Sequence, residues 1–204
     1  MIGLVDYGLG NLEAFANIYR QLGIESKRVS RADEIAAARL LILPGVGAFD
    51  WAMARLNGSG LRDSLDKAVL EKRVPVLGVC IGMHMMMEHS EEGISPGLGW
   101  IKGDVVRVPA RNAGLPLPHM GWNDVLPRGD DPLFDKLEAP RFYFLHSYCV
   151  SPSSPDAILA ETSYGTSLAC AVRQDHITGV QFHPEKSHHW GMRLLENFAT
   201  MRRV

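Results

Sequence analysis

A chain of 204 residues, 46% hydrophobic and 22% charged, can bury a core of ordinary size without staples, and it fits one α/β domain. Its net charge of −2 and scattered basic residues leave no electrostatic footprint for nucleic acid or an anionic membrane. Three cysteines, Cys80, Cys149 and Cys170, are too few for a disulfide framework and fit a reducing, cytoplasmic compartment. The first residues have no basic run and Asp6 interrupts their short apolar start, so no signal peptide is expected, and the longest apolar stretch, Val74 to Met87, is broken by Pro75, Gly78, Gly82 and His84, so it is too interrupted to span a bilayer.

In chain order, Ile2 to Asp6 reads as a buried strand, Tyr7 to Asn11 as a glycine-rich turn, and Leu12 to Leu22 as an amphipathic helix stopped by Gly23. Gly8-Leu9-Gly10 lacks the third glycine of a dinucleotide fingerprint, since position 13 is Glu, and a plain βα turn is favoured. Glu25 to Val29 and Leu40 to Leu43 are further strands. The second runs into Pro44-Gly45-Val46-Gly47, a loop whose peptides can reorient and face a ligand. Helical patterns follow over Trp51 to Leu56 and Leu61 to Arg73.

Val74 to Val79 is a short apolar run that enters Gly78-Val79-Cys80-Ile81-Gly82, and a helical pattern leaves it from Met83 to His89. G-x-C-x-G is the cysteine form of a nucleophile elbow, a sharp strand-to-helix turn that presents its central residue at the carboxyl end of a sheet. The helix N-terminus favours a thiolate there, and the Ile81 N–H can hold an oxyanion. Taken alone, the pentapeptide fits a buried structural cysteine between packing glycines equally well. Met83, Met85, Met86 and Met87 read as core filler. Ser90 to Gly93 reads as the end of the helix. Alternating strands and helices up to about residue 90 predict a doubly wound, mainly parallel sheet with ligands at the strand carboxyl ends.

From Gly97 the texture changes. Short apolar runs at Trp100-Ile101, Val105 to Val108, Phe142 to His146, Ala157 to Ala160, Ser167 to Val172 and Gly179 to Phe182 predict mostly antiparallel strands added to the parallel sheet. Arg111 to Pro118 reads as a loop. A last helix spans about His189 to Met201, with Trp190, Leu194, Leu195 and Phe198 on one face.

A thiolate nucleophile needs a base, and the base needs an orienter. Among eight histidines the best placed is His183, at the end of the apolar run Gly179 to Phe182, with Glu185 two residues on and on the same side of an extended chain. Glu185 is suited to fix the imidazole tautomer and stabilise its charged form. His188 and His189 bring a metal site with His183 into view, but no CxxC or HxxxH spacing supports one, and metal ranks below the triad. His119 and His146 sit in loop-like or strand-end contexts that suit a pocket lining.

These stretches resemble a known family. G-V-C-I-G with a distant G-V-Q-F-H-P-E is similar to the class I, triad-type glutamine amidotransferases. Asp6-Tyr7-Gly8 with Gly10-Asn11, Leu43 to Phe49, Pro118 to Asn123, Phe144 to Tyr148 and His183 to Ser187 narrow the resemblance. They match the branch whose glutaminase subunits serve imidazole glycerol phosphate synthesis, and the match covers nearly the whole chain.

The resemblance implies one glutaminase domain over residues 1–204, with glutamine as substrate and no cofactor. Cys80 would attack the carboxamide and His183, oriented by Glu185, would shuttle the proton. Gly45, Val46 and Ile81 match the oxyanion site, Ser147 and Tyr148 match glutamine-binding positions, and Asn11, Trp122, Tyr143 and Lys186 match positions that face a partner. That partner would be a (β/α)₈ cyclase in a heterodimer, which uses the ammonia to form imidazole glycerol phosphate and aminoimidazole carboxamide ribotide in histidine biosynthesis. The glutaminase accounts for the whole chain, leaving nothing for an acceptor site, which is a second reason to expect a partner.

One departure stands out. His84 occupies a position four residues after the cysteine where the family usually has Gln. It is expected to contact glutamine and to weaken its binding as pH falls through ~6.5, when an imidazolium would repel the substrate ammonium. Two alternatives stay open on the same fold: a paralogue feeding a sugar amidotransferase of surface-polysaccharide synthesis, and a stand-alone γ-glutamyl thiol hydrolase.

Overall fold

The computed structural model describes residues 1–201, so the basic pair Arg202-Arg203 lies outside the described residues. Its centre is an eight-stranded sheet. Four of its strands come from the first half of the chain: β1 (Ile2–Val5), β2 (Ser26–Val29), β3 (Leu40–Gly45) and β4 (Val76–Cys80). The rest of the chain forms nine further strands, of which four join this sheet: β5 (His89–Ser90), β6 (Gly103–Arg107), β7 (His119–Asp124), β8 (Leu126–Pro127), β9 (Arg141–His146), β10 (Tyr148–Pro152), β11 (Ile158–Ser163), β12 (Ser167–Gln174) and β13 (Ile177–Val180). The order in the large sheet is β2-β1-β3-β4-β13-β12-β11-β8. The first five of these run parallel, and the last three are antiparallel additions.

β3 and β4 are buried at every residue, as expected of parallel strands covered on both faces. The covering helices are α1 (Leu12–Gln21), α2 (Ala32–Ala37), α3 (Phe49–Gly58), α4 (Arg62–Asp66), α5 (Ile81–Met85) and α6 (His188–Thr200). α1 buries Leu12, Phe15 and Tyr19, is capped by the Asn11 side chain accepting from Ala14 N, and is followed by Gly23 at φ +68°. α6 buries Gly191, Leu194, Leu195 and Phe198 on its core face.

Three expectations need correction. The helix after Cys80 is a single turn ending at Met85, and His89–Ser90 is a strand. The carbonyls of Met85, Met86 and Met87 are taken by the N–H groups of Leu98, Gly99, Trp100 and Ile101, so the chain that would prolong the helix is clamped by a later loop. Trp100-Ile101, expected as a strand, is part of that clamp. In the second half only β8, β11 and β12 join the main sheet antiparallel. β13 pairs parallel with β4, while β10-β6-β5 and β7-β9 form two small separate sheets.

The methionines are core filler, for a visible reason. Gly78 on β4 and Gly179 on β13 stand side by side, and their missing side chains leave a groove. A Cβ on Gly78 would come within 2.7 Å of Met86 Cε, and one on Gly179 within 2.3 Å of Met83 Cγ, so the thioethers occupy that groove. The elbow is tighter still. A Cβ on Gly82 would lie 1.9 Å from the Leu43 carbonyl oxygen, and one on Gly45 2.5 Å from Gly82 N.

Gly82→Ala should therefore destabilise the fold by about 1–3 kcal/mol, the usual range for overpacking, because backbone and not a flexible side chain must yield. Urea unfolding measures it, and a change within ~0.5 kcal/mol, the level of a neutral surface substitution, would show that the strand–helix contact is not tight.

Candidate active site

β4 delivers Cys80 to the carboxyl end of the sheet with φ 55° and ψ −114°, a left-handed backbone that a cysteine adopts only when its surroundings impose it. The imposing contact is the close fit of α5 on β3, where Gly45 is in register with Cys80. On the neighbouring strand, β13 leads into Phe182 and His183. His183 Nδ1 lies 2.8 Å from Glu185 Oε1, with both side chains almost fully buried. Nδ1–H donates to the carboxylate, which leaves Nε2 for the hydrogen bond that His183 makes with Cys80.

Burial alone would lower the His183 pKa. The hydrogen bonds to Cys80 and Glu185, and their negative charges, outweigh it and raise the value to about 9. An imidazolium at neutral pH is the counter-charge a thiolate needs. With α5 only one turn long, the charge that supports the sulfur comes from this imidazolium more than from a helix dipole.

A pocket of about 280 Å³ opens over the sulfur, and Val46, Gly47, Ile81, His84, Glu92, Ser147, Tyr148 and Lys186 are among its walls. Gly45 packs directly beneath, against the first turn of α5, and Tyr7 fixes the preceding carbonyl by donating to Pro44 O at 2.6 Å. Gly45, Val46 and Ile81 thus meet beside Cys80, where first-turn N–H groups have no partner within the helix. A larger recess of about 710 Å³, between residues 127–137 and α6, holds neither cysteine nor histidine.

Of the four residues expected to face a partner, Trp122, Tyr143 and Lys186 cluster beside the pocket, and Asn11 stands at the start of α1. Trp122 and Tyr143 rings are 6.4 Å apart, and Lys186 Nζ stands 5.7 Å from the Tyr143 ring. Asn11 caps α1, and a Cβ on neighbouring Gly10 would touch Pro44 at the end of β3. His188 and Trp190 extend this cluster, His188 stacking on Trp122 at 5.3 Å. His188 and His189 join no metal cluster among the described residues.

His84 lines the pocket, but not as an ordinary titrating group. It is 1% exposed, its Nε2 lies 2.8 Å from Gln181 Oε1, and its Nδ1 is buried without a hydrogen-bond partner. Burial pushes its pKa down to about 4, against a smaller upward pull from Gln181. The ring is neutral at neutral pH, so the expected loss of glutamine affinity near ~6.5 does not follow from this residue. Of the two remaining candidates, His146 lines the pocket and His119 lies behind it.

Two residues at the site, one in the pocket and one beneath it, escaped sequence reasoning. Glu92 accepts from Phe49 N at 3.1 Å and puts a carboxylate into the pocket, its pKa raised by desolvation. In the sequence it sits in a polar Ser-Glu-Glu-Gly run that looks like any solvated helix end. Gln181 is fully buried, with its amide nitrogen 4.0 Å from Cys80 Sγ. The only signal for it is a polar residue interrupting an apolar strand.

The class-I glutamine amidotransferase model matches residues 3–201. The chain belongs to the class-I glutamine amidotransferases. Within that family it is 53% identical over 203 residues to the imidazole glycerol phosphate synthase subunit HisH of Bdellovibrio bacteriovorus, covering 98% of this chain and 99% of the relative. It is 46% identical to subunit HisH 2 of Pseudomonas aeruginosa, covering 98% and 100%. A crystal structure of a glutamine amidotransferase superposes with a TM-score of 0.75 at 22% identity, over 98% of this chain and 99% of the other. As a class-I amidotransferase the chain is a glutaminase, and no helix among the described residues is long and apolar enough to cross a membrane.

Buried neutral histidines make an amidotransferase of this kind acid-sensitive. Burial lowers His84 and His119 to about 4 and His146 to about 3. Each contributes stability that is present above ~6.5 and is lost as pH falls from there toward the folded value, because the unfolded chain binds the proton first. His183, raised to about 9, acts oppositely: its contribution is full below ~6.5 and is lost as pH rises through 9. Stability should fall below ~6.5 with a slope of up to ~1.4 kcal/mol per pH unit for each histidine, and His84→Gln should flatten that limb. Urea unfolding across acidic pH tests this, and equal slopes in both proteins would contradict it.

Proposed function

We propose that the chain is the glutaminase subunit of an imidazole glycerol phosphate synthase. It hydrolyses glutamine at Cys80 and passes the ammonia to a (β/α)₈ cyclase in a heterodimer. The observation that carries the reading is a strained cysteine hydrogen-bonded to a His183–Glu185 pair at the floor of a pocket sized for a small molecule. The 53% identity to a HisH subunit over nearly the full length of both chains supports the pathway.

In this mechanism the Cys80 thiolate adds to the carboxamide carbon of glutamine. N–H groups from the Gly45–Val46 region and Ile81 hold the oxyanion, a contribution worth roughly a hundredfold to a thousandfold in kcat per donor. His183 gives its proton to the departing nitrogen, ammonia leaves, and a glutamyl thioester remains. His183 then takes a proton from water, which attacks the thioester, and glutamate is released with the thiolate restored. Glu185 keeps the imidazole oriented and charged. Ser147, Tyr148 and His84 line the glutamine subsite, and Glu92 supplies the negative charge that the substrate ammonium seeks.

Ammonia freed in water at neutral pH becomes ammonium and loses its nucleophilicity, so the product must leave through a dry path into a docked acceptor enzyme. The aromatic and cationic cluster of Trp122, Tyr143 and Lys186, with Asn11 at the start of α1, is the docking face. A second reading keeps this chemistry but changes the acceptor to a sugar amidotransferase. His84 in place of the usual Gln favours it, because the departure falls on the substrate subsite itself.

Cys80→Ala should abolish glutamate release while leaving the fold and partner binding intact, and the complex should still form imidazole glycerol phosphate from free ammonia. Glutamate assays and product analysis read both arms. More than a trace of hydrolysis by the variant overturns the nucleophile assignment, and no product from ammonia with the cyclase favours the other acceptor.

A further inference from the structure

Behind the pocket wall a chain of hydrogen bonds runs in one direction only. His146 Nδ1 lies 2.8 Å from the Tyr148 carbonyl oxygen, and a carbonyl only accepts, so the proton is on Nδ1 and Nε2 is bare. His119 Nδ1 stands 2.9 Å from that bare nitrogen and must donate to it. His119 Nε2 is then the acceptor, and Asn123 Nδ2 donates to it at 3.1 Å. The same amide donates to Ser163 O at 2.9 Å, and its Oδ1 accepts from Asp124 N. No member can be turned round without setting two donors or two lone pairs face to face. His119 is also clamped, stacking on Phe144 at 4.8 Å and on Tyr164 at 4.1 Å.

We propose that His119 and His146 are positioning residues for the glutaminase reaction: held as Nδ1–H tautomers, they fix the Tyr148 carbonyl and with it the Ser147–Tyr148 wall of the glutamine pocket. The inference rests on the reading of Ser147 and Tyr148 as glutamine-binding. The two rings are 3% and 6% exposed, and only His146 reaches the pocket. A second proton on His146 would go to Nε2, against the His119 N–H. The other titratable groups facing the pair are His84 on α5, His183 after β13, Lys186 and Glu92 in the shared pocket wall, and the Tyr164 hydroxyl. Burial holds both rings neutral, reinforced at His146 by the neighbouring histidines, so this support does not titrate near neutral pH, beside a His183 that is charged.

Two substitutions separate the hydrogen bond from the packing. His119→Phe keeps the stack between Phe144 and Tyr164 and removes the donor. His119→Asn keeps an N–H at the Nδ position and removes the stack. Nitrogen-15 spectra of the histidine rings should show Nδ1–H on both His119 and His146 in the unaltered protein, with no titration between about pH 5.5 and about 8. In His119→Phe, His146 should begin to titrate in that range. With the cyclase partner present, KM for glutamine should then rise several-fold toward acid pH relative to the unaltered complex, with a smaller change in kcat. His119→Asn should keep the unaltered pH profile.

An Nε2–H tautomer on either ring overturns the proposal. So does a His119→Phe complex with an unchanged KM profile, or a His119→Asn complex that behaves as His119→Phe is expected to. Should His119→Phe fail to fold, the tautomers and the Asn variant still decide. The spectra need no glutamine, so a failure of the glutaminase reading would be seen separately as absent turnover.

Discussion

The active site depends on two backbones that touch where neither carries a side chain. Gly82 in α5 lies against the Leu43 carbonyl, and Gly45 at the end of β3 lies against Gly82 N. That approach forces the chain to turn sharply at Cys80, giving the cysteine its left-handed φ and lifting its sulfur out of the sheet. It also brings the Gly45–Val46 peptides beside the first turn of α5, so one steric constraint places both the nucleophile and its oxyanion donors. The strain in such a turn, of order 1–3 kcal/mol, is held by this close fit of α5 on β3.

In and behind the pocket, imidazoles of opposite character share one small volume. His183 is charged because a carboxylate and a sulfur face its two nitrogens. His84, His119 and His146 are neutral because burial is not repaid by any anion, and their nitrogens face amides, a carbonyl and each other. The difference lies in what each ring is bonded to, since all four are 6% exposed or less. Among its histidines the site confines positive charge to the one that must give up a proton.

The triad was legible because its signals are local. G-x-C-x-G encodes the turn, and His183 and Glu185 are two residues apart, so they meet locally, although through a 3-10 turn over Pro184–Lys186 and not the extended chain the spacing suggested. The parallel half of the sheet was legible for the same reason, in the apolar runs of β3 and β4. What the sequence hid depends on distant contacts. The helix after Cys80 looked longer because nothing local announces that Leu98 to Ile101 will take its carbonyls. Glu92 reads as a solvated charge until α3 presents Phe49 N to it. His84 reads as an ordinary histidine until Gln181, just beyond the end of β13, closes over it.

The place of β13 has a consequence for how the protein comes into being. It is the seam of the sheet, bonded to parallel β4 on one side and to antiparallel β12 on the other. During synthesis Cys80 leaves the ribosome about a hundred residues before His183. Until β13 slots into the seam, the cysteine has neither base nor counter-charge. The nascent chain carries its nucleophile unarmed, and completion of the sheet and onset of reactivity are a single event.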